Sequence, residues 1–220
     1  MIQPGDIISY LEMCTHEGVN LQRGMNYHLR RDTSVILMSL RPNAPYADSI
    51  EDDGQILIYE GHDIPKSSDN PIPKIVDQPM LYPGGTLTQN GLFYDATLRY
   101  KNRRDEPELV RVYEKLHRGI WVFNSIFKLV DAWQEEYNSR KVSKFRLELT
   151  QDKSSANTVE KQEMNLEHNR LIPPQVKLAV WKRDKGKCTK CESTDNLHFD
   201  HIIPFSRGGS SLVAENIQIF

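Results

Sequence analysis

The sequence predicts an α+β protein in two parts, and three observations carry that prediction. Residues 1–150 hold short runs rich in β-branched and aromatic side chains, separated by turns containing Pro, Gly and Asn. Residues 151–169 are polar and show no apolar face, which suits a linker. Residues 170–220 open on a proline-led helical pattern and run into a Cys-x-x-Cys pair and an Asp-His pair.

The β runs are SVILMSL (34–40), QILIYEG (55–61), LVRVYEKL (109–116), IWVFNSIFKLVDAW (120–133) and KFRLELT (144–150). In LIPPQVKLAVWKRD (171–184) the prolines can open a helix whose apolar face is Val176, Val180 and Trp181. With 220 residues, 38% of them hydrophobic, the chain can build one large or two modest cores. No apolar run approaches the roughly 20 residues that cross a bilayer. MIQPGDIISYLEM has neither a basic leader nor a signal-like apolar block, so a cytoplasmic protein with no membrane partner is expected.

Cys14, Cys188 and Cys191 make a poor disulfide scaffold and fit a reducing compartment, with Cys14 a small buried hydrophobe. The net charge of −2 gives no general attraction to nucleic acid. Basic residues nevertheless gather in KLAVWKRDKGKCTK (177–190), where Lys177, Lys182, Arg183, Lys185, Lys187 and Lys190 can meet a phosphate backbone or form a solvated face.

The C-terminal chemistry starts from Cys188 and Cys191, whose spacing supplies two of the four ligands that structural zinc requires. Neither His198 nor His201 is a convincing third. Asp200 offers a hard oxygen ligand for a divalent cation, and His201 an imidazole able to act as a base near neutral pH. Pro204 and Gly208-Gly209 can bend the chain after them, and the Asn216 amide can tie the resulting loop.

Residues 176–218, VKLAVWKRDKGKCTKCESTDNLHFDHIIPFSRGGSSLVAENIQ, resemble the HNH nucleases of the ββα-metal class. The resemblance implies that Asp200 binds a magnesium-like ion, His201 is the general base on water and Asn216 steadies the loop. It also implies that Cys188 and Cys191 hold half of a zinc site, and that Lys182, Arg183 and Lys187 touch DNA. The family continues into a helix carrying a second Cys-x-x-Cys. This chain stops at NIQIF, so the expectation is a nuclease domain lacking that helix and complete in zinc only if a second cysteine pair follows residue 220.

Upstream, PNAPYADSIEDDGQILIYEGH (42–62) sets Tyr46, Asp48, Tyr59 and Glu60 around turns beside a strand. Aromatic rings there can sandwich a planar base and a carboxylate can accept from the exocyclic amine of cytosine; equally, the aromatics can be core. Residues 110–149 resemble the closing motif of the SRA domain, a reader of modified cytosine, and DDGQILIYEGHD resembles its earlier signature. This resemblance implies a PUA-like curved β-barrel with flanking helices and a core of Val110, Val112, Phe127, Val130, Trp133, Phe145 and Leu147. Its base pocket would comprise Tyr46, Asp48 and Tyr59, with Glu60 beside them. The Tyr-Asp-Gly signature of the family stands here as Phe123, Asn124 and Ser125, and Ser49 through its backbone or Asp52 through its carboxylate can take the part of Asp48. YPGGTLTQNG (82–91) occupies the place of a DNA-approaching loop, making Thr88, Gln89 and Asn90 expected contacts or an ordinary surface loop.

Together these readings predict a bacterial, type IV-like modification-dependent endonuclease. It would flip 5-methylcytosine or a related base out of double-stranded DNA and hydrolyse the backbone nearby; a homodimer is compatible with this. The alternatives are a modified-DNA binder that does not cut, and an HNH nuclease whose SRA-like domain does not select modification. Which modification is read stays open, because methyl and hydroxymethyl differ by one hydroxyl.

Overall fold

Long apolar strands in the sequence become one large sheet. The computed structural model describes residues 2–30, 33–41, 43–150, 172–204 and 207–220, and the polar stretch 151–169 lies outside them. The elements are β1 (Asp6–Ser9), α1 (Tyr10–Glu17), β2 (Met25–Arg30), β3 (Thr33–Met38), β4 (Ser49–Glu51), β5 (Ile56–Glu60), α2 (Gln89–Lys101), β6 (Leu109–His117), β7 (Ile120–Tyr137), β8 (Arg140–Leu149), α3 (Pro174–Arg183), β9 (Leu197–His201) and β10 (Ile217–Ile219).

The expected barrel does not form. The strands follow the open path β10-β9-β1-β7-β6-β3-β2, with β8, β5 and β4 branching from β7. Among the described residues no pairing joins the ends of this path. The reason lies in β7, which spans 18 residues. Its first half pairs with β1 and β6 and its second half with β8, so the sheet spreads from a shared strand. The sheet is mixed, since β3 and β6 run parallel while the other pairs are antiparallel.

Met25, Ile36, Leu57, Phe93, Val110, Val112, Phe127, Phe145 and Leu147 form the main core. Each large side chain buried there contributes roughly 1.5–3 kcal/mol. Val130 and Trp133, expected in this core, are half-buried, and Leu129 and Ala132 take their places. A register shift between Leu129 and Asp131 explains the exchange, because one added residue flips the alternation of faces.

Helix α2 was not legible in its glycine-rich lead-in. Thr88 caps it, its hydroxyl accepting from the Gly91 N–H at 3.2 Å. Helix α3 begins at the prolines and buries Val176 and Val180, with Trp181 half-buried, as its pattern predicts.

The C-terminal segment joins the same sheet. Strand β9 pairs with β1, placing Leu197 opposite Ile7, and β10 extends the edge. Ile7, Leu116 and Val122 share a second core with Val176, Val180, Phe199 and Ile217. Lys177, expected in the basic face, is buried instead: its ammonium lies 2.7 Å from Glu114 Oε2 and 2.6 Å from Asn124 Oδ1. Helical geometry puts residue 177 beside Val176 and Val180 on the sheet-facing side, and Glu114 supplies the counter-charge that makes its burial tolerable. Among the described residues no helix is long and apolar enough to cross a membrane.

Candidate functional site

Strands β3 and β5 are not paired with each other, but Asp48, in the irregular segment before β4, bridges their ends through the N–H groups of Ser39 and Glu60. The result is a cavity of about 330 Å³ bordered by Tyr46, Asp48, Tyr59 and His62, with Met38 and Trp121 among its apolar wall. Its size falls within the range of roughly 300–1,000 Å³ usual for small-molecule sites. Asp48 Oδ1 accepts from the Glu60 N–H at 2.9 Å and Oδ2 from the Ser39 N–H at 3.4 Å. Burial pushes this carboxyl up to about 7, against the pull of those two amides and of Lys144. Near neutrality its protonated form therefore presents one O–H donor and one carbonyl acceptor.

Tyr59 is only 1% exposed and belongs to the main core. Burial raises its phenol, whose oxygen lies 3.2 Å from His62 Nε2. Burial also pushes the His62 imidazole down to about 4, leaving it neutral at physiological pH. The His62 ring faces Tyr46 at 5.6 Å between centroids and 23° between planes. Asn90 grips the His62 backbone, accepting from its N–H and donating to its carbonyl, both at 2.8 Å. The Lys74 ammonium rests 4.0 Å from the Tyr46 ring centroid and 2.8 Å from Asp63.

The second cluster sits on β9 and β10, where Asp200 pairs with Gln218 and His201 with Ile217. Asp200 Oδ1 accepts the His201 N–H at 2.8 Å, and His201 Nε2 lies 2.8 Å from Ser211 Oγ. Asn216 ties two stretches of chain: Nδ2 donates to Ile203 O at 3.0 Å and Ser210 O at 3.1 Å, while Oδ1 accepts from the Ile203 N–H at 2.8 Å. Gly209 is required there, since a Cβ at that position would fall 1.8 Å from Ile203 O. Backbone N–H groups of Cys191 and Lys190 hold the Cys188 thiol below its usual range. Among the described residues no three His, Cys, Asp or Glu side chains gather to hold a metal ion. Neither the Cys188–Cys191 pair nor Asp200 is thus completed as a metal site by the described donors.

Solved structures resemble this chain. No family model matches it, and no curated protein does. The SUVH5 SRA domain bound to fully hydroxymethylated CG DNA is 19% identical with a TM-score of 0.49, over 71% of this chain and 95% of that one. The same domain in a methylated CHH DNA complex is 21% identical with a TM-score of 0.45, over 67% and 88%. The modification-dependent TagI restriction endonuclease is 17% identical with a TM-score of 0.47, over 100% of this chain and 74% of that one.

Several residues expected at a site do other work. Glu60 lies in a buried ionic network, accepting from Arg140 and Gln78 on Oε1 and from Lys144 on Oε2, each at 3.3 Å. It borders a neighbouring cavity on the far side of Tyr46, apart from the one holding Asp48. Ser49 is zipped opposite Ile58, and Asp52 is exposed on the turn after β4; neither borders the Asp48 cavity.

Thr88, Gln89 and Asn90 turn inward, to Gly91 and Pro79, to the Tyr27 N–H, and to His62 respectively. Their position at the start of α2 spends their polar atoms on capping and on clamping the neighbouring loop. Arg183 bonds Asp184 and the carbonyls of Ala214 and Ile217, whereas Lys182 and Lys187 are exposed. Sequence reasoning missed His62, Arg23 and Trp121 as cavity residues. Only the position of His62, three residues after Tyr59 and just past a strand end, carried any signal.

Proposed function

We propose that this protein binds double-stranded DNA and accommodates a modified cytosine, turned out of the duplex, in the cavity bordered by Tyr46, Asp48 and Tyr59. The observation that carries this reading is Asp48. A cytosine presents a ring-nitrogen acceptor and an amine donor side by side, and a buried carboxyl near half protonation can meet both at once. The apolar wall at Met38 and Trp121 gives room for a substituent that water would otherwise surround. The SRA resemblance of residues 110–149 agrees with this reading. Extruding the base costs a few kcal/mol, which stacking and these hydrogen bonds offset.

The test is competition binding at one fixed salt concentration, using matched fully methylated, hemimethylated, hydroxymethylated and unmodified duplexes. Preference for at least one modified duplex is expected, with Asp48→Ala losing it. Equal affinity for all four removes the reading.

A second reading, that the C-terminal segment also hydrolyses DNA, is favoured by His201 standing beside a loop fastened by Asn216. Metal-dependent cleavage of methylated plasmid that disappears in His201→Ala, with DNA binding intact, supports it. Absence of cutting with magnesium and with manganese leaves the protein a reader alone.

A further inference from the structure

The Tyr46 ring is a wall between two cavities. Lys74 and Tyr46 border one of them, His62 and Tyr46 the other. His62, whose ring faces Tyr46 near parallel, lines the Asp48 cavity, and Lys74, which lies over the Tyr46 ring, lines the neighbouring one. Tyr59, the residue that sequence reasoning pairs with Tyr46, is 1% exposed and packed in the main core with Leu57, Phe93 and Phe145. Such a ring has little face left for a ligand.

We propose that His62, rather than Tyr59, supplies the second stacking face, so that an everted base lies between the imidazole and the Tyr46 ring. This rests on reading the cavity as a base site. A planar base between two rings needs about 7 Å, twice an aromatic contact of roughly 3.5 Å. The two rings already lie near parallel, with 23° between planes and centroids 5.6 Å apart, so a base enters once their planes part to about 7 Å.

The adjustment falls to the Tyr46 side chain, since the backbone on either side of it is held, Pro45 O by Lys74 and Ala47 by Glu60 and Lys144. His62 is held on three sides: Asn90 clamps its backbone, the Tyr59 hydroxyl meets Nε2, and Gly24 presses so close that a Cβ there would fall 2.6 Å from Nε2. Tyr59 is thus a positioning residue. Burial keeps the imidazole uncharged, so the ring stacks without the cost of an enclosed cation.

The experiment measures binding of modified and unmodified duplexes by wild type, His62→Ala, His62→Phe and Tyr59→Phe. Alongside it, a duplex carrying the fluorescent analogue pyrrolocytosine at the target position reports stacking directly. Losing a base-stacking ring weakens binding roughly 5- to 150-fold. His62→Ala should lose that much affinity for modified duplex and lose the quenching, while His62→Phe, which keeps a ring, retains most of both. Tyr59→Phe keeps its core ring and should lose less than His62→Ala. Unfolding of His62→Ala, checked by circular dichroism, passes the decision to the other two variants: retained quenching in His62→Phe supports the proposal and lost quenching overturns it. If wild type prefers modified duplex and His62→Ala, still folded, binds and quenches as wild type does, this proposal fails and the base-site reading stands. If wild type shows no preference, the base-site reading itself fails.

Discussion

Replacing Asp48 by asparagine should change how stability depends on pH, and the structure gives both the sign and the size. Burial raises this carboxyl from 3.8 to about 7, so the folded chain holds a proton that the unfolded chain has already released between those values. The stabilisation from that proton is fully present below the unfolded value and is lost as pH rises through the folded one. Between about pH 5 and pH 8 it amounts to roughly 2.5 kcal/mol. The substituted carboxamide cannot titrate. Its carbonyl can still take the Glu60 N–H, but its amide would face the Ser39 N–H, a mismatch costing about 1–3 kcal/mol at every pH.

The informative quantity is accordingly the stability difference between the two proteins, followed across pH. Burial raises the Tyr46 and Tyr59 phenols above this window in both proteins and pushes His62 down to about 4, below it. Urea unfolding at about pH 5, 6, 7 and 8 should show wild type losing roughly 2.5 kcal/mol relative to Asp48→Asn over the series. Parallel curves would refute the argument, since they would mean that the carboxyl is as solvated folded as unfolded. The same proton should make modified-duplex binding weaken from about pH 6 to about pH 8 in wild type and not in the variant.

Lys177→Met strands Glu114 without its counter-charge and should cost about 3–5 kcal/mol in thermal or urea unfolding, with part of the loss recovered in the double variant with Glu114→Gln. Asn216→Ala removes three hydrogen bonds and should destabilise by about 2–3 kcal/mol, seen first as faster exchange of the Ile203 amide. Thr88→Ala should cost about 1 kcal/mol through the lost helix cap and leave DNA affinity unchanged; a selective loss of DNA binding would return Thr88 to the interface.

What the sequence made legible was whatever local periodicity encodes. Strands β3, β5, β6, β7 and β8 and helix α3 follow their apolar patterns, and Val176 and Val180 face inward as their spacing requires. Tyr46, Asp48, Tyr59 and Glu60 were grouped because segment 42–62 gathers aromatics and carboxylates around turns beside a strand and resembles an SRA signature; the first three border one cavity and Glu60 does not. Closure of the sheet was not legible, because it depends on which half of an 18-residue strand meets which neighbour. The roles of Thr88, Gln89 and Asn90 were hidden for a related reason: a polar tripeptide looks the same whether its partners are bases or the backbone of His62, Pro79 and Tyr27. Lys177 shows the limit most sharply. Composition groups it with exposed Lys182 and Lys187, and only the helix phase and Glu114, 63 residues away in sequence, separate it from them.

That buried lysine also explains how the C-terminal segment can be fixed to the sheet in one register. Apolar contacts of the kind that Val176, Val180 and Phe199 make with Ile7 and Val122 are strong but non-directional, and a helix can slide over such a surface at small cost. An ammonium 3% exposed cannot slide, because any displacement takes it from Glu114 and Asn124 into a region with nothing to replace them. Strand β1 adds the second constraint: Ile7 is paired with Val122 on one side and Leu197 on the other, so the strand that carries Asp200 and His201 is hydrogen-bonded through β1 to β7. Trp121, one residue from Val122, borders the Asp48 cavity. The strand carrying the Asp-His cluster is therefore tied through β1 to β7, the strand whose Trp121 walls the candidate base site, with hydrophobic burial supplying the attraction and the Lys177 ion pair choosing the register.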